Sequence, residues 1–103
     1  MSICQNKVYE REFRDMMISQ GFHCERVAGS GSGKDSVCDC ILFKEGKVYL
    51  VEVKATSKPE LRNRKETKEQ LARMQEVAKK HGVECMLAVK YKHKGWEFEC
   101  LYT

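Results

Sequence analysis

A chain of 103 residues with a formal net charge of +4 and 33% charged side chains is sized for a single domain with a modest core. No apolar run approaches the roughly 18 residues of a membrane-spanning helix, and the opening residues MSICQNK lack the apolar segment of a secretory signal. The six cysteines (Cys4, Cys24, Cys38, Cys40, Cys85, Cys100) contain no CxxC pair, which argues against zinc and for reduced thiols in an intracellular setting, the cytoplasm or nucleoid (of a host cell, if a virus encodes the chain).

In chain order, Asn6–Gln20 reads as a helix, with Tyr9, Phe13, Met16 and Met17 at helical spacing and Gly21 placed to end it. Phe22–Ala28 reads as a short strand and Gly29–Ser36 as a Gly/Ser loop. Val37–Lys44 and Lys47–Thr56 form a hairpin about Glu45-Gly46. Ser57–Glu66 is a polar connection holding the lone proline, Pro59. Thr67–His81 is a second helix with Leu71, Met74, Val77 and Ala78 inside and Gly82 as its stop. Val83–Tyr91 and Trp96–Tyr102 are the last strands. The order is α-β-β-β-α-β-β, and the central strands are apolar on both faces, so a helix should cover each side of the sheet.

The hairpin carries the chemistry. If Glu45-Gly46 is a two-residue loop, Lys44 pairs with Lys47, and counting outward sets Asp39 opposite Glu52. Like charges facing each other across a strand pair repel, and a carboxylate inside a run such as VYLVEVKA calls for a partner or a metal. A divalent cation meets both objections, since Mg²⁺ is held by one or two carboxylates with waters and phosphate oxygens. Lys54, two residues on, shares the face of Glu52. A purely structural surface cluster of charges is the competing reading.

Other candidates are weaker. Gly29–Ser36 misses the phosphate-loop spacing, because three residues rather than four separate Gly29 from Gly33 and Asp35 follows Lys34; its small residues could still admit a phosphate to the backbone and to Ser30 and Ser32. Glu10 lies about 60° from Phe13 and 20° from Met17 around the helix axis. It borders the buried stripe, either salt-bridged to Arg14 at i+4 or part of a site. Thr67-x-x-Gln70 reads as a capping box. Ser57–Lys68 holds five basic and two acidic residues, which suits a polyanion or simply water. The three histidines have no ligand-like spacing, and Trp96 reads as a core or edge-strand residue.

Asp39…Glu52-Val53-Lys54 resembles the PD-(D/E)xK nuclease signature. Together with YEREF at Tyr9–Phe13, Gly21-Phe22, RVAGSGS at Arg26–Ser32, Lys68-Glu69-Gln70, LAVK at Leu87–Lys90 and GWEF at Gly95–Phe98, the chain resembles the archaeal-type Holliday-junction resolvases over nearly its whole length. The resemblance implies a restriction-endonuclease-like mixed five-stranded sheet flanked by two helices. It implies Mg²⁺-dependent cleavage of four-way DNA junctions by a homodimer, with Mn²⁺ as a substitute ion. Asp39, Glu52, the Val53 carbonyl and Glu10 would serve the metal. Lys54 would be the catalytic lysine and Ser30 the loop serine. Arg11 and Arg26 would contact phosphate or order the site, and Gln70 would lie beside it. Ser32, Lys34, Lys58, Arg62, Arg64, Lys65, Lys68 and Gln70 are the expected further DNA contacts. Cys38 stands where the family has proline. The alternatives are a nuclease for other branched, flapped or foreign DNA, and a DNA-junction binder without catalysis.

Overall fold

A computed structural model describes residues 3–27, 36–58 and 65–101, with the backbone alone for residues 3–6. Its elements run α1 (Ile3–Ser19), β1 (His23–Arg26), β2 (Cys40–Lys44), β3 (Lys47–Thr56), α2 (Lys65–His81), β4 (Glu84–Tyr91) and β5 (Gly95–Leu101). The five strands form one sheet in the order β1-β2-β3-β4-β5. Only β3 and β4 pair in parallel, which requires the α2 crossover between them; the other pairs are antiparallel.

The expected order and fold class are those observed, and the differences lie at element ends. Glu45 and Gly46 both take positive φ (51° and 83°), the condition for the tight turn that matches strand twist. The turn sets Lys44 against Lys47, so the register assumed for the hairpin holds as far as Cys40↔Val51. β2 begins at Cys40, three residues later than expected, and β1 stops at Arg26. α2 begins at Lys65, so Thr67 and Gln70 stand inside the helix and the capping box does not form. Thr67 is buried there.

Strand alternation divides the core into two layers. Val51 and Val53 of β3, with Cys24, Cys40, Leu42 and Ala88, pack against Phe13 and Met17 of α1. Leu50, with Cys38, Cys85, Leu87 and Val89, packs against Leu71, Met74 and Ala78 of α2. Burying each large apolar side chain stabilises by about 1.5–3 kcal/mol, so both helices are held by their stripes. α2 gains further from Glu66 in its first turn and Lys79, Lys80 and His81 in its last, which complement the helix dipole. Cys24, Cys38, Cys40, Cys85 and Cys100 carry free thiols. Among the described residues, no helix is long and apolar enough to cross a membrane.

Candidate active site

The two layers leave Glu52 and Lys54 on the α2 face of the central strand, because their β3 neighbours Val51 and Val53 point to α1. Glu52 is buried, and its Oε2 pairs with Lys54 Nζ at 3.2 Å. Asp39 sits at a bend one residue before β2. Its N–H donates to Val51 O and its carbonyl accepts from Val27 N–H, both at 2.9 Å. Continued register would align it with Glu52, so the bond to Val51 marks a slip of one residue. The expectation that the two acids face each other as ladder partners is corrected here. The side chain instead folds back, and Oδ2 accepts the Val53 N–H at 2.9 Å. Backbone bonds on both sides thus fix Asp39 while its carboxylate reaches the α2 side.

Asp39 and Glu52 nevertheless share one small hollow of about 60 Å³, walled also by Ser36, Val37, Cys38, Gln70 and Arg73. Burial first, and then the charge of Asp39, push the Glu52 carboxyl up to about 7; Lys54 opposes this. Burial also lifts the Cys38 thiol to about 11, so the residue standing in the proline position is an un-ionised wall.

Glu10 belongs to the other layer. It is 1% exposed on α1. Arg26, which shares the α1 side of the sheet with Cys24 and Cys40, donates to its Oε1 from Nε and Nη2 at 3.4 and 3.3 Å. The partner is therefore Arg26 and not Arg14, which pairs with Asp15. Burial and the nearby Asp39 raise the Glu10 carboxyl above the usual range, and Arg26 holds it down. Among the described residues, no three His, Cys, Asp or Glu side chains converge as a metal cluster. The charge of Asp39 acts on Glu10, and that of Glu10 on Glu52, so the Glu10 carboxylate lies near both acids although it is not among the residues that wall their hollow.

The remaining site residues scatter. Arg11, Lys58, Lys65 and Lys68 are exposed, the last two on the first turn of α2. Ser30, Ser32, Lys34, Arg62 and Arg64 lie outside the described residues. Arg73 and Ser36 were not singled out from the sequence. Arg73 could have been, since it follows Gln70 by three residues and so shares its helix face. Trp96 is an edge-strand residue as expected, its Nε1–H donating to Glu12 Oε1 at 2.8 Å.

A family model described as archaeal Holliday junction resolvase (Hjc) matches residues 2–101. The chain belongs to this family. It is 39% identical over 59 residues to the crossover junction endodeoxyribonuclease of Sulfolobus islandicus rod-shaped virus 1, a match covering 56% of this chain and 49% of that protein. The chain thus spans about half the length of that relative. Its fold is similar to that of Archaeoglobus fulgidus Hjc, a Holliday junction resolvase from an archaeal hyperthermophile, with a TM-score of 0.67 and 26% identity over 89% of this chain and 72% of that one.

Proposed function

We propose that the chain is a structure-selective endonuclease that cuts four-way DNA junctions by metal-dependent phosphodiester hydrolysis, acting as a homodimer. The observation that carries this reading is the hollow that Asp39 and Glu52 share, with Lys54 tied to Glu52, in a chain of the junction-resolvase family.

The donor set fits a hard divalent cation. Asp39 and Glu52 offer carboxylate oxygens and Val53 a backbone carbonyl, and Mg²⁺ commonly takes one or two carboxylates and completes its shell with water and phosphate. The charge of Asp39 raises the hold of buried Glu52 on its proton, and the two acids together are an excess of negative charge that a cation balances. When bound, the ion polarises a phosphoryl oxygen and lowers the pKa of a water.

The chain's own side chains do the rest. Asp39, clamped by Val27, Val51 and Val53, fixes one oxygen donor relative to the sheet. Lys54 stands beside Glu52 and puts positive charge where negative charge grows on the phosphate. Glu10 orients Arg26 along the α1 side of the site, where Arg26 and Arg11 meet a phosphate. Ser30 and Ser32 offer hydroxyls to a DNA phosphate. Lys34, Lys58, Arg62, Arg64, Lys65 and Lys68 grip phosphates away from the cut and read no bases. A junction needs two symmetric cuts and each chain supplies one site, so a two-fold dimer suits the substrate.

Cleavage of a four-way junction, a linear duplex and a flap of equal sequence, compared in Mg²⁺, tests the substrate. Junction cutting at least tenfold faster than the others is the expected result. Preference for the flap or the duplex overturns the junction assignment and leaves a nuclease for other DNA.

A further inference from the structure

β3 and β4 run in parallel, so their carboxyl ends meet at one end of the sheet. A hollow of about 410 Å³ opens there, walled by Ser57, Tyr91, Lys92, His93, Lys94 and Glu97. It lies on the α2 side, as Glu52 and Lys54 do: Tyr91 packs against the α2 layer of the core, and Glu97 stands opposite Val89 of that layer. Lys92 and Lys94 fall outside the basic segment Ser57–Lys68 noted in the sequence.

The backbone holds these side chains in place. Tyr91 pairs with Gly95, which leaves Lys92-His93-Lys94 as a three-residue loop, and Gly95 takes the positive φ (100°) that closes such a loop. Lys94 N–H donates to Tyr91 O at 3.0 Å, and Lys92 N–H donates to Thr56 O at 3.1 Å. Thr56 Oγ1 accepts the Lys58 N–H at 3.0 Å, which turns the chain at Ser57. Ser57, Lys92 and Lys94 are exposed, so their polar heads are open to a partner. Among the described residues, the walls bring two ammonium groups against the one carboxylate of Glu97. A phosphodiester is an anion that accepts hydrogen bonds, and ammonium and hydroxyl groups donate them. Thr56 stands four residues beyond Glu52 on β3, about 13 Å at the usual strand rise, or about four base-pair steps of duplex.

We propose that this hollow is a second anchor for the junction: Lys92, Lys94 and the Ser57 hydroxyl grip one backbone phosphate of the arm that is cut, about four base pairs from the scissile one. This rests on the nuclease reading above. The anchor fixes where the arm lies along the sheet and reads no bases.

Junction binding in EDTA, followed by fluorescence anisotropy over a salt series, tests the anchor. Lys92→Gln with Lys94→Gln should weaken binding about tenfold at about 0.1 M salt and lower the salt slope by about one, the share of a single phosphate beyond that of the other basic residues. Glu97→Gln removes the opposing charge and should tighten binding about twofold, a change of sign that does not depend on how the double variant folds. A single uncharged methylphosphonate, moved along the arm, locates the contact. The wild type should lose affinity at a position about four base pairs from the cut, and the double variant should lose nothing further there. Unchanged affinity and slope in the double variant overturn the inference, as do methylphosphonate losses equal in both proteins at every position. A wild-type chain that binds the junction but cuts nothing in Mg²⁺ sinks the hydrolytic reading and leaves the grip to be judged by the binding results. A chain that cuts, while all these variants bind as the wild type does, loses only the anchor.

Discussion

Glu52 is where stability and function pull apart. Its carboxyl is pushed up to about 7 by burial and by Asp39, against about 4.3 for an unfolded glutamate. The folded chain therefore binds this proton more tightly than the unfolded chain does. The stabilisation is complete below the unfolded value and is lost as pH rises to about 7. A gap of that size corresponds to a free energy on the order of 4 kcal/mol. Glu52→Gln should then raise the melting temperature of the metal-free protein at pH 8 and flatten its decline between pH 4.5 and 7, both read by thermal denaturation (pH range from the two pKa values above). A variant that melts lower than wild type at pH 8 would contradict the strain assigned to this carboxylate. The pairing of Glu52 with Lys54 was legible from their spacing of two on a strand. The backward fold of the Asp39 side chain was not, because a one-residue slip at a strand end leaves no mark in hydrophobic alternation.

Elements bring the site together from both layers. α1 presents Glu10 to Arg26 of β1 on one side, and α2 presents Gln70 and Arg73 to Asp39 and Glu52 on the other. Arg26→Ala leaves the Glu10 carboxylate buried without this cation, a loss of about 1–3 kcal/mol. Glu10 holds its proton above the usual range, so the protonated side chain needs no counter-ion at low pH. The destabilisation, read by urea unfolding, should be larger at about pH 8 than at about pH 5. Equal losses at both pH values would mean that Arg26 stabilises by packing. Phe13 and Met17, and Leu71, Met74 and Ala78, were readable as inner stripes, since their 3.6-residue period is what the two core layers require. The partner of Glu10 was not readable from the helix alone: Arg14 is near in sequence, but Arg26 arrives from a strand. The α2 start was misplaced because Thr67 carries a capping residue's chemistry, whereas its side chain packs in the core.

At the scale of the molecule, the chain measures 33 × 31 × 24 Å, about ten base pairs of duplex in its longest direction. One chain thus covers about one arm beside its site, which accords with the proposed dimer on a four-armed substrate. Net charge is only +4, so affinity for DNA must come from where the basic residues lie. If Lys34, Lys58, Arg62, Arg64, Lys65 and Lys68 all meet phosphates, the logarithm of junction affinity should fall with the logarithm of salt at a slope of about −5 per chain. Lys68→Ala should lower that slope by about one and weaken all DNA shapes alike. A salt titration by fluorescence anisotropy reads both, and an unchanged slope would remove Lys68 from the interface.

The most direct measurement follows junction binding and junction cutting side by side for the wild-type chain and for Asp39→Asn, with Mg²⁺ and then with EDTA. The wild type should bind in both conditions and cut only with the metal, while Asp39→Asn should bind as tightly and cut at least a thousandfold more slowly, on the order of 4 kcal/mol in the barrier. Undiminished cutting by Asp39→Asn, or by the wild type in EDTA, would contradict a hydrolytic centre built on the paired carboxylates.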